Sequence, residues 1–397
     1  MRENGYTSII SLAMAKLNPT RDFHGDEFAQ FACLAIHIGL DFDASREIGH
    51  TTEIKLVESY MRIVFAVPTH HEYMWTGTPS EPILAEAAAH LLNGVDHLPL
   101  EELAPRALNR AFERGFLARG ERGKMVACLL WTLAHDKVAE KEASHDNVKF
   151  HKPIHVLDFL CSLFHEDYWD VILDVRPVGN PSGPPLSEAF ESAYINFSHF
   201  MDAVDGSIDF KKVYWLLLRG AALSCERNQQ SIDFLAPILF GSPDSTSLSR
   251  SSTSVLQAQV KNRDDTKWVF VDPMVKSDHP VLSIVHEFGS WEDVIECAPY
   301  IKDPDEFDER HYQIISYGCS SNVFGVVPKT MNEVYPMLLR SRLLMDDFPQ
   351  LHIGECASLF CQMDPCTGID TGKKKRKGLQ RKGAFGEVES WFGRHVE

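Results

Sequence analysis

Three polar residues stand inside runs that are otherwise apolar: Asp233, Gln259 and Lys261. Asp233 lies in the β-rich run SIDFLAPILFG (231–241). Gln257, Gln259 and Lys261 interrupt SVLQAQVKN (254–262) at every second position. Alternate residues of a strand share one face, so a carboxylate, an amide oxygen and an ammonium could meet on one side of a sheet. The two oxygens suit Mg²⁺, a hard cation that keeps most of its waters. The lysine would hold a scissile phosphate or orient the attacking water. The same residues also make an ordinary sheet surface, with Asp233 paired to Lys261 and Gln259 solvated.

The runs flank a Ser-rich connector, SPDSTSLSRSST (242–253), which reads as a loop. An antiparallel hairpin with Phe240 opposite Ser254 sets Asp233 opposite Lys261 and Leu235 opposite Gln259. A slip of one residue would turn the set onto opposite faces. Further strands are expected at 267–273, 281–288, 312–319 and 323–328, giving a mixed sheet of about five strands.

The first half reads as largely helical. Apolar residues recur at helical spacing over 25–42, 53–67, 80–95, 122–143 and 152–164. Ser80 before Glu81-Pro82 is a start signal. LEELAPRALNRAFERG reads as a short helix interrupted by its proline. After the Pro- and Gly-rich connector 176–190, helices are expected over 186–204 and 210–229, and a closing helix over 330–345. The expected organisation is a helical region (1–175), an α/β core (186–350) and a basic tail (367–397).

Asp233, followed after a loop by Gln259-Val260-Lys261, resembles the PD-(D/E)XK restriction-endonuclease-like superfamily in its Gln-x-Lys variant. SEPILAEAA, residues 119–139, FESAYINFSHF, RGAALSCERNQQSIDFLAPI and QAQVKN together resemble a group of uncharacterised basidiomycete fungal proteins. The resemblance implies an α/β fold with a mixed central sheet of restriction-endonuclease-like type and extensive helical additions. It also implies Mg²⁺-dependent phosphodiester cleavage: Asp233 and Gln259 hold the ion, and Lys261 is the catalytic lysine. Such folds usually add a helix glutamate. This chain has Lys124 where one is expected and Glu121 on a different face, with Glu86, Glu191 and Glu226 as other candidates. Gln259 and Lys124 both reduce negative charge around a metal, which implies weak or lost cleavage. The alternative is a non-catalytic nucleic-acid-binding or protein-interaction module on the same fold.

Other chemical signals are weaker. His352, Cys356, Cys361 and Cys366 lack the close Cys pairs of structural zinc sites and read as ordinary thiols. His145, His151 and His155 lie on a polar stretch and read as solvated. No serine sits in a strand-turn-helix elbow, and no glycine-rich loop has phosphate-binding spacing. The longest apolar runs, such as MVACLLWTLA (125–134), fall short of the ~20 residues of a membrane helix. Glu3 and Asn4 stand where a secretory leader would be basic. Nine scattered cysteines then read as reduced thiols, and the expected setting is intracellular, cytoplasmic or nuclear.

The net charge of −17 argues against a protein that coats nucleic acid over its whole surface. KKKRKGLQRK (373–382), however, carries seven basic residues and no acid. Lys373, Lys374, Lys375, Arg376 and Lys377 form its densest part and are the expected contacts to a polyanion. Residues 367–382 have little to bury and are expected to be disordered. If the tail is an import signal, a fusion carrying residues 367–397 will enter nuclei. If it holds nucleic acid, deleting 373–382 will weaken binding and flatten its salt dependence, by about 0.9 of a log–log unit per lost phosphate contact on duplex DNA. No change in either assay leaves the tail as a solvated terminus.

Overall fold

A computed structural model describes residues 3–40, 42, 47–67, 69, 74–94, 98–115, 117, 122–142, 149–178, 180–203, 208–225, 232–244, 249–262, 277–290, 292–297 and 310–339. The basic tail, the Cys-containing segment 352–366 and the strand expected over 267–273 lie outside the described residues. No helix among those described is long and apolar enough to cross a membrane.

The protein is mixed α/β. Its strands are β1 (Ile63–Ala66), β2 (Trp75–Gly77), β3 (Ile154–His155), β4 (Ala193–Ile195), β5 (His199–Asp202) and β6 (Ala221–Ser224). They continue with β7 (Phe234–Phe240), β8 (Thr253–Lys261), β9 (Val281–Glu287), β10 (Val294–Glu296) and β11 (His311–Tyr317). The helices are α1 (Glu3–Leu17), α2 (Glu27–Ile38), α3 (Glu47–Ser59), α4 (Pro82–Leu92), α5 (Leu100–Glu113) and α6 (Arg122–Glu142). After them come α7 (Val156–Leu163), α8 (Trp169–Leu173), α9 (Leu186–Ala189), α10 (Phe210–Arg219) and α11 (Val334–Leu339).

β1 and β2 form a separate antiparallel pair. The other nine strands make one sheet, along the path β10-β11-β9-β8-β7-β4-β3, with β5 and β6 attached to β7. β8, β9 and β11 run parallel; β7 is antiparallel to β8. The second edge of β7 is shared: β6 pairs with Phe234 and Leu235, and β4 with Ile238 to Phe240. Pro237 falls in the gap between them, where a strand residue without an N–H is tolerated.

The central strands are buried almost throughout because helices cover both faces. On one face α6 contributes Trp131, which packs edge-on to Phe234 with ring centroids 4.7 Å apart. That core runs from Ile10 to Leu339 and joins the helical half to the sheet. On the other face Val213 and Leu216 of α10 pack with Leu235, Val255, Val285 and Ile315. α2 illustrates the local encoding: Asp26 accepts the Ala29 N–H at 3.0 Å, and Gly39 ends the helix at φ 68°.

Several expected elements differ. Residues 186–204 form the short α9 followed by β4 and β5, because sheet pairing overrides helix propensity there. The helix expected over 210–229 stops at Gly220, in the left-handed region, and β6 follows. The helix over 53–67 ends at Ser59, before β1. Pro105 sits inside a continuous α5. Residues 323–328 form turns with one bridge, Phe324 to Phe164, and the closing helix is only Val334–Leu339.

The β7–β8 register also differs by two residues. Leu235 faces Gln257 and Ile238 faces Ser254, so Asp233 does not oppose Lys261. A two-residue shift keeps each side chain on its expected face, whereas a one-residue shift would not.

One hydrogen bond tests the packing of the α6 face. Trp131 Nε1–H donates to His286 Nε2 at 3.1 Å, and His286 Nδ1–H donates to Ser316 Oγ at 2.8 Å. This needs a neutral ring, and burial lowers the His286 pKa to about 3. An unfolded histidine takes its proton near pH 6.5. The stabilisation is therefore present above about pH 6.5 and lost as pH falls toward 3. Thermal melts should shift down steadily between pH 7 and pH 4, and less so in His286→Gln, whose amide does not titrate. Equal pH slopes for the two proteins would contradict this.

Candidate functional site

The carboxyl ends of the parallel strands β8 and β9 bring the expected residues to one edge of the sheet. β8 runs past the last paired residue of β7, Phe234. Asp233 closes the ladder: its N–H donates to the Ala258 carbonyl at 2.8 Å, and its Oδ2 accepts the Val260 N–H at 2.6 Å. The carboxylate thus stands in for a backbone carbonyl that β7 no longer supplies.

Gln259 and Lys261 alternate with Ala258 and Val260, so they lie on the α10 side of the sheet. Gln259 is 7% exposed, and its Oε1 is buried without a hydrogen-bond partner. An unsatisfied buried amide oxygen costs roughly 1–3 kcal/mol. Its neighbour on the same face, Gln257, is satisfied: Nε2 donates to Ser283 Oγ at 2.9 Å, which bonds His311 Nε2 at 2.6 Å.

Lys261 pairs in register with Glu287, and Glu287 with Tyr317. Glu287 is 5% exposed. The Tyr317 hydroxyl donates to Glu296 Oε2 at 3.2 Å. Burial, then Glu296, Glu287 and Glu292, push its pKa up to about 12. The edge therefore gathers Asp233, Gln259, Lys261, Glu287, Glu296 and Tyr317. Sequence reasoning missed the last three, although Glu287 ends the apolar run VLSIVHEF as Lys261 ends its own.

The candidate third acids lie elsewhere. Glu86 is buried and accepts the N–H groups of Lys149, Phe150 and His151, so it organises the chain entering β3. Glu191 is exposed between α9 and β4. Glu226 and Glu121 lie outside the described residues, as do Lys373, Lys374, Lys375, Arg376 and Lys377. Lys124 donates to the Cys225 carbonyl at 2.7 Å, and the Cys225 N–H donates to the Asp233 carbonyl at 2.8 Å. Lys124 thus ties the start of α6 to the strand end that carries Asp233. Gly123 lets α6 approach closely, since an added Cβ would sit 3.1 Å from Val260 Cγ1.

A second polar cluster is buried where the helices meet β5. His37 Nε2 donates to Asp136 Oδ2 at 2.9 Å and Nδ1 to the Ser198 carbonyl at 2.6 Å. Both partners only accept, so the ring carries two protons and is an imidazolium. Burial alone would lower its pKa, but the Asp136 charge and hydrogen bonds outweigh this and raise it. Asn93 Nδ2 adds a bond to Asp136 at 2.8 Å. His199 is opposite in character: burial, then His151, His37 and Arg219, lower its pKa to about 3. His151, expected to be solvated, bonds Ser198 Oγ at 3.2 Å and packs against Gly220, whose missing Cβ makes room for the ring. His155 lies against Tyr194, while His145 is outside the described residues. The hydrogen-bonded partners of His37, Asp136 and His151 come together across separations of 43 to 161 residues, so no local motif announces them.

No curated protein and no solved structure matches this chain. One family model does, that of a domain of unknown function, DUF8736, over residues 23–288. The match starts at Phe23, just before α2, and ends at Phe288, just past β9. It takes in Asp233, Gln259, Lys261, Glu287 and the histidines of the second cluster, and the chain belongs to the DUF8736 family.

Proposed function

We propose that the edge formed by the ends of β7, β8 and β9 handles a phosphodiester of DNA or RNA, as a weakened nuclease of the Gln-x-Lys kind. The observation that carries this reading is Gln259 Oε1, a buried acceptor left unsatisfied beside a carboxylate and a lysine. Asp233 and Gln259 would hold Mg²⁺. Their oxygens fit an ion that keeps most of its waters. They do not make a dry cage, and among the described residues no group of three His, Cys, Asp or Glu is placed to hold a metal. Bound there, Mg²⁺ would supply Lewis-acid polarisation of a phosphoryl oxygen.

The chain's own groups do the rest. The Lys261 ammonium draws the phosphate to the strand ends and offsets charge developing on it. Glu287, beside Lys261 in the ladder, limits where that ammonium can settle. Tyr317 keeps its phenolic proton at neutral pH, bonded to Glu296, and so adds no negative charge to the edge. A second reading has an observation of its own. Asp233 Oδ2 already serves the Val260 N–H, which suits a site that binds without cleaving.

Two measurements test the proposal. Purified protein should cleave single- or double-stranded nucleic acid slowly with Mg²⁺ or Mn²⁺, and Lys261→Ala should lower the rate about 100-fold or more. Cleavage without metal, or unaffected by Lys261→Ala, contradicts the mechanism. Binding without cleavage supports the second reading. Gln259→Leu should remove activity yet raise stability in urea by about 1 kcal/mol or more, because it removes an unsatisfied amide. A loss of stability of that size would make Gln259 a structural residue.

A further inference from the structure

The second polar cluster reaches the surface at Ser80. Ser80 precedes α4, where Glu81 is the cap residue and Pro82 opens the helix. No side chain caps that helix end. The hydroxyl that reads in sequence as a helix-start signal points instead to His199, with Oγ 2.7 Å from Nε2.

The direction of this hydrogen bond follows from its neighbours. Arg219 Nε donates to Ser80 Oγ at 3.1 Å, so the hydroxyl hydrogen is the one left to bond His199. His199 then accepts at Nε2 and donates from Nδ1 to Ser198 Oγ at 3.2 Å. Ser198 is held by the Gly220 carbonyl, which accepts its hydroxyl at 3.3 Å, and by His151. A hydroxyl is thus bonded to an imidazole, and the imidazole's far nitrogen is fixed by a third group. This is the spatial relation of nucleophile, base and orienting residue.

A groove of about 730 Å³ adjoins it. Glu81 and Pro82, the two residues after Ser80, line the groove, and so does Arg219. Its apolar wall is Met201, Trp215, Leu216, Leu218 and Leu223. Trp215 is 58% exposed and Leu218 45%.

We propose that Ser80 is an acyl-transfer nucleophile with His199 as its base, and that the groove seats the apolar acid portion of an ester. Ser80 Oγ forms a bond to the ester carbonyl carbon while its proton passes to His199 Nε2. The carbon–oxygen bond to the alcohol then breaks, and the departing alcohol takes that proton. Water attacks the acyl-serine in the second half-reaction. Its proton passes through His199 back to Ser80 Oγ, and the carboxylic acid leaves. The Arg219 guanidinium, held by the Ser80 carbonyl and Glu81, lies next to Ser80 Oγ and offsets negative charge developing beside it. Ser198 is a positioning residue, since it acts through His199. With no carboxylate behind His199, the imidazolium is weakly supported. Acylation is therefore slow and favours activated esters and phosphonylating reagents.

The site shares no residue with the strand-end site. The full chain is treated with an alkyl fluorophosphonate and the adduct located by mass spectrometry. One equivalent on Ser80 is expected, with faster labelling for longer alkyl groups. Hydrolysis of p-nitrophenyl esters should show the same chain-length trend. Ser80→Ala should abolish both with an unchanged melting curve. Ser80→Cys should keep ester reactivity. Trp215→Ala should slow long-chain esters more than short ones. Because His199 is buried, His199→Gln is read only if its melt matches the parent, and it should then slow labelling about 100-fold. Absence of adduct at Ser80, or equal labelling and hydrolysis in Ser80→Ala, overturns the proposal.

Discussion

Register across the three parallel strands is held by one buried row of hydrogen bonds: Gln257 to Ser283, and Ser283 to His311. Parallel strands have no hairpin turn between them to set their alignment. Their hydrophobic faces are covered on both sides, so apolar patterning alone discriminates poorly between registers. Three polar side chains that satisfy one another only in one alignment do discriminate, because any slip leaves buried groups unpaired. The positions of Gln259 beside Val285, Lys261 beside Glu287 and Glu287 beside Tyr317 all follow from that alignment.

The two helical layers then give the sheet's two ends different roles. α6 closes one face through Trp131, which packs on Phe234 and donates to His286, and carries Asp136 into the buried cluster with His37. α10 closes the other, and its exposed side forms a wall of the groove by Ser80. β7 runs between both regions. Asp233 leads into one end of it, and β6 on its second edge leads to the β5 residue His199. Two chemically distinct clusters are therefore built from one sheet, one from strand ends and one from an attached strand and the helix starts around it.

Much of this organisation was legible in the sequence, and the limits have physical causes. The alternation in SVLQAQVKN marked a strand with a polar face, and the helical half showed its periodicity in α2, α4 and α6. The Gln257 amide was readable as polar but not as buried, since its partners lie on strands far along the chain. The hairpin register was missed by two residues because β8 starts at Thr253, opposite Leu239, directly after a 3-10 turn over Arg250–Ser252 inside the Ser-rich connector. Residues 186–204 contain good helix formers, and pairing of β4 with the second edge of β7 and of β5 with β6 makes strands of them. The Ser80–His199 contact spans 119 residues and carries no local motif. Fold class follows local patterning, whereas sites depend on long-range pairing.

The strand-end site stands or falls on whether Gln259 Oε1 receives a ligand. Side-chain amide NMR on protein labelled only at glutamine reads this directly, with Gln257 and Gln313 on the same sheet face as internal references. On addition of millimolar Mg²⁺ with a non-cleavable phosphodiester, the Gln259 resonance should move while Gln257, already bonded to Ser283, stays in place. A Gln259 resonance that does not respond, or one that moves only together with Gln257 and Gln313, would contradict a ligand site at the strand ends.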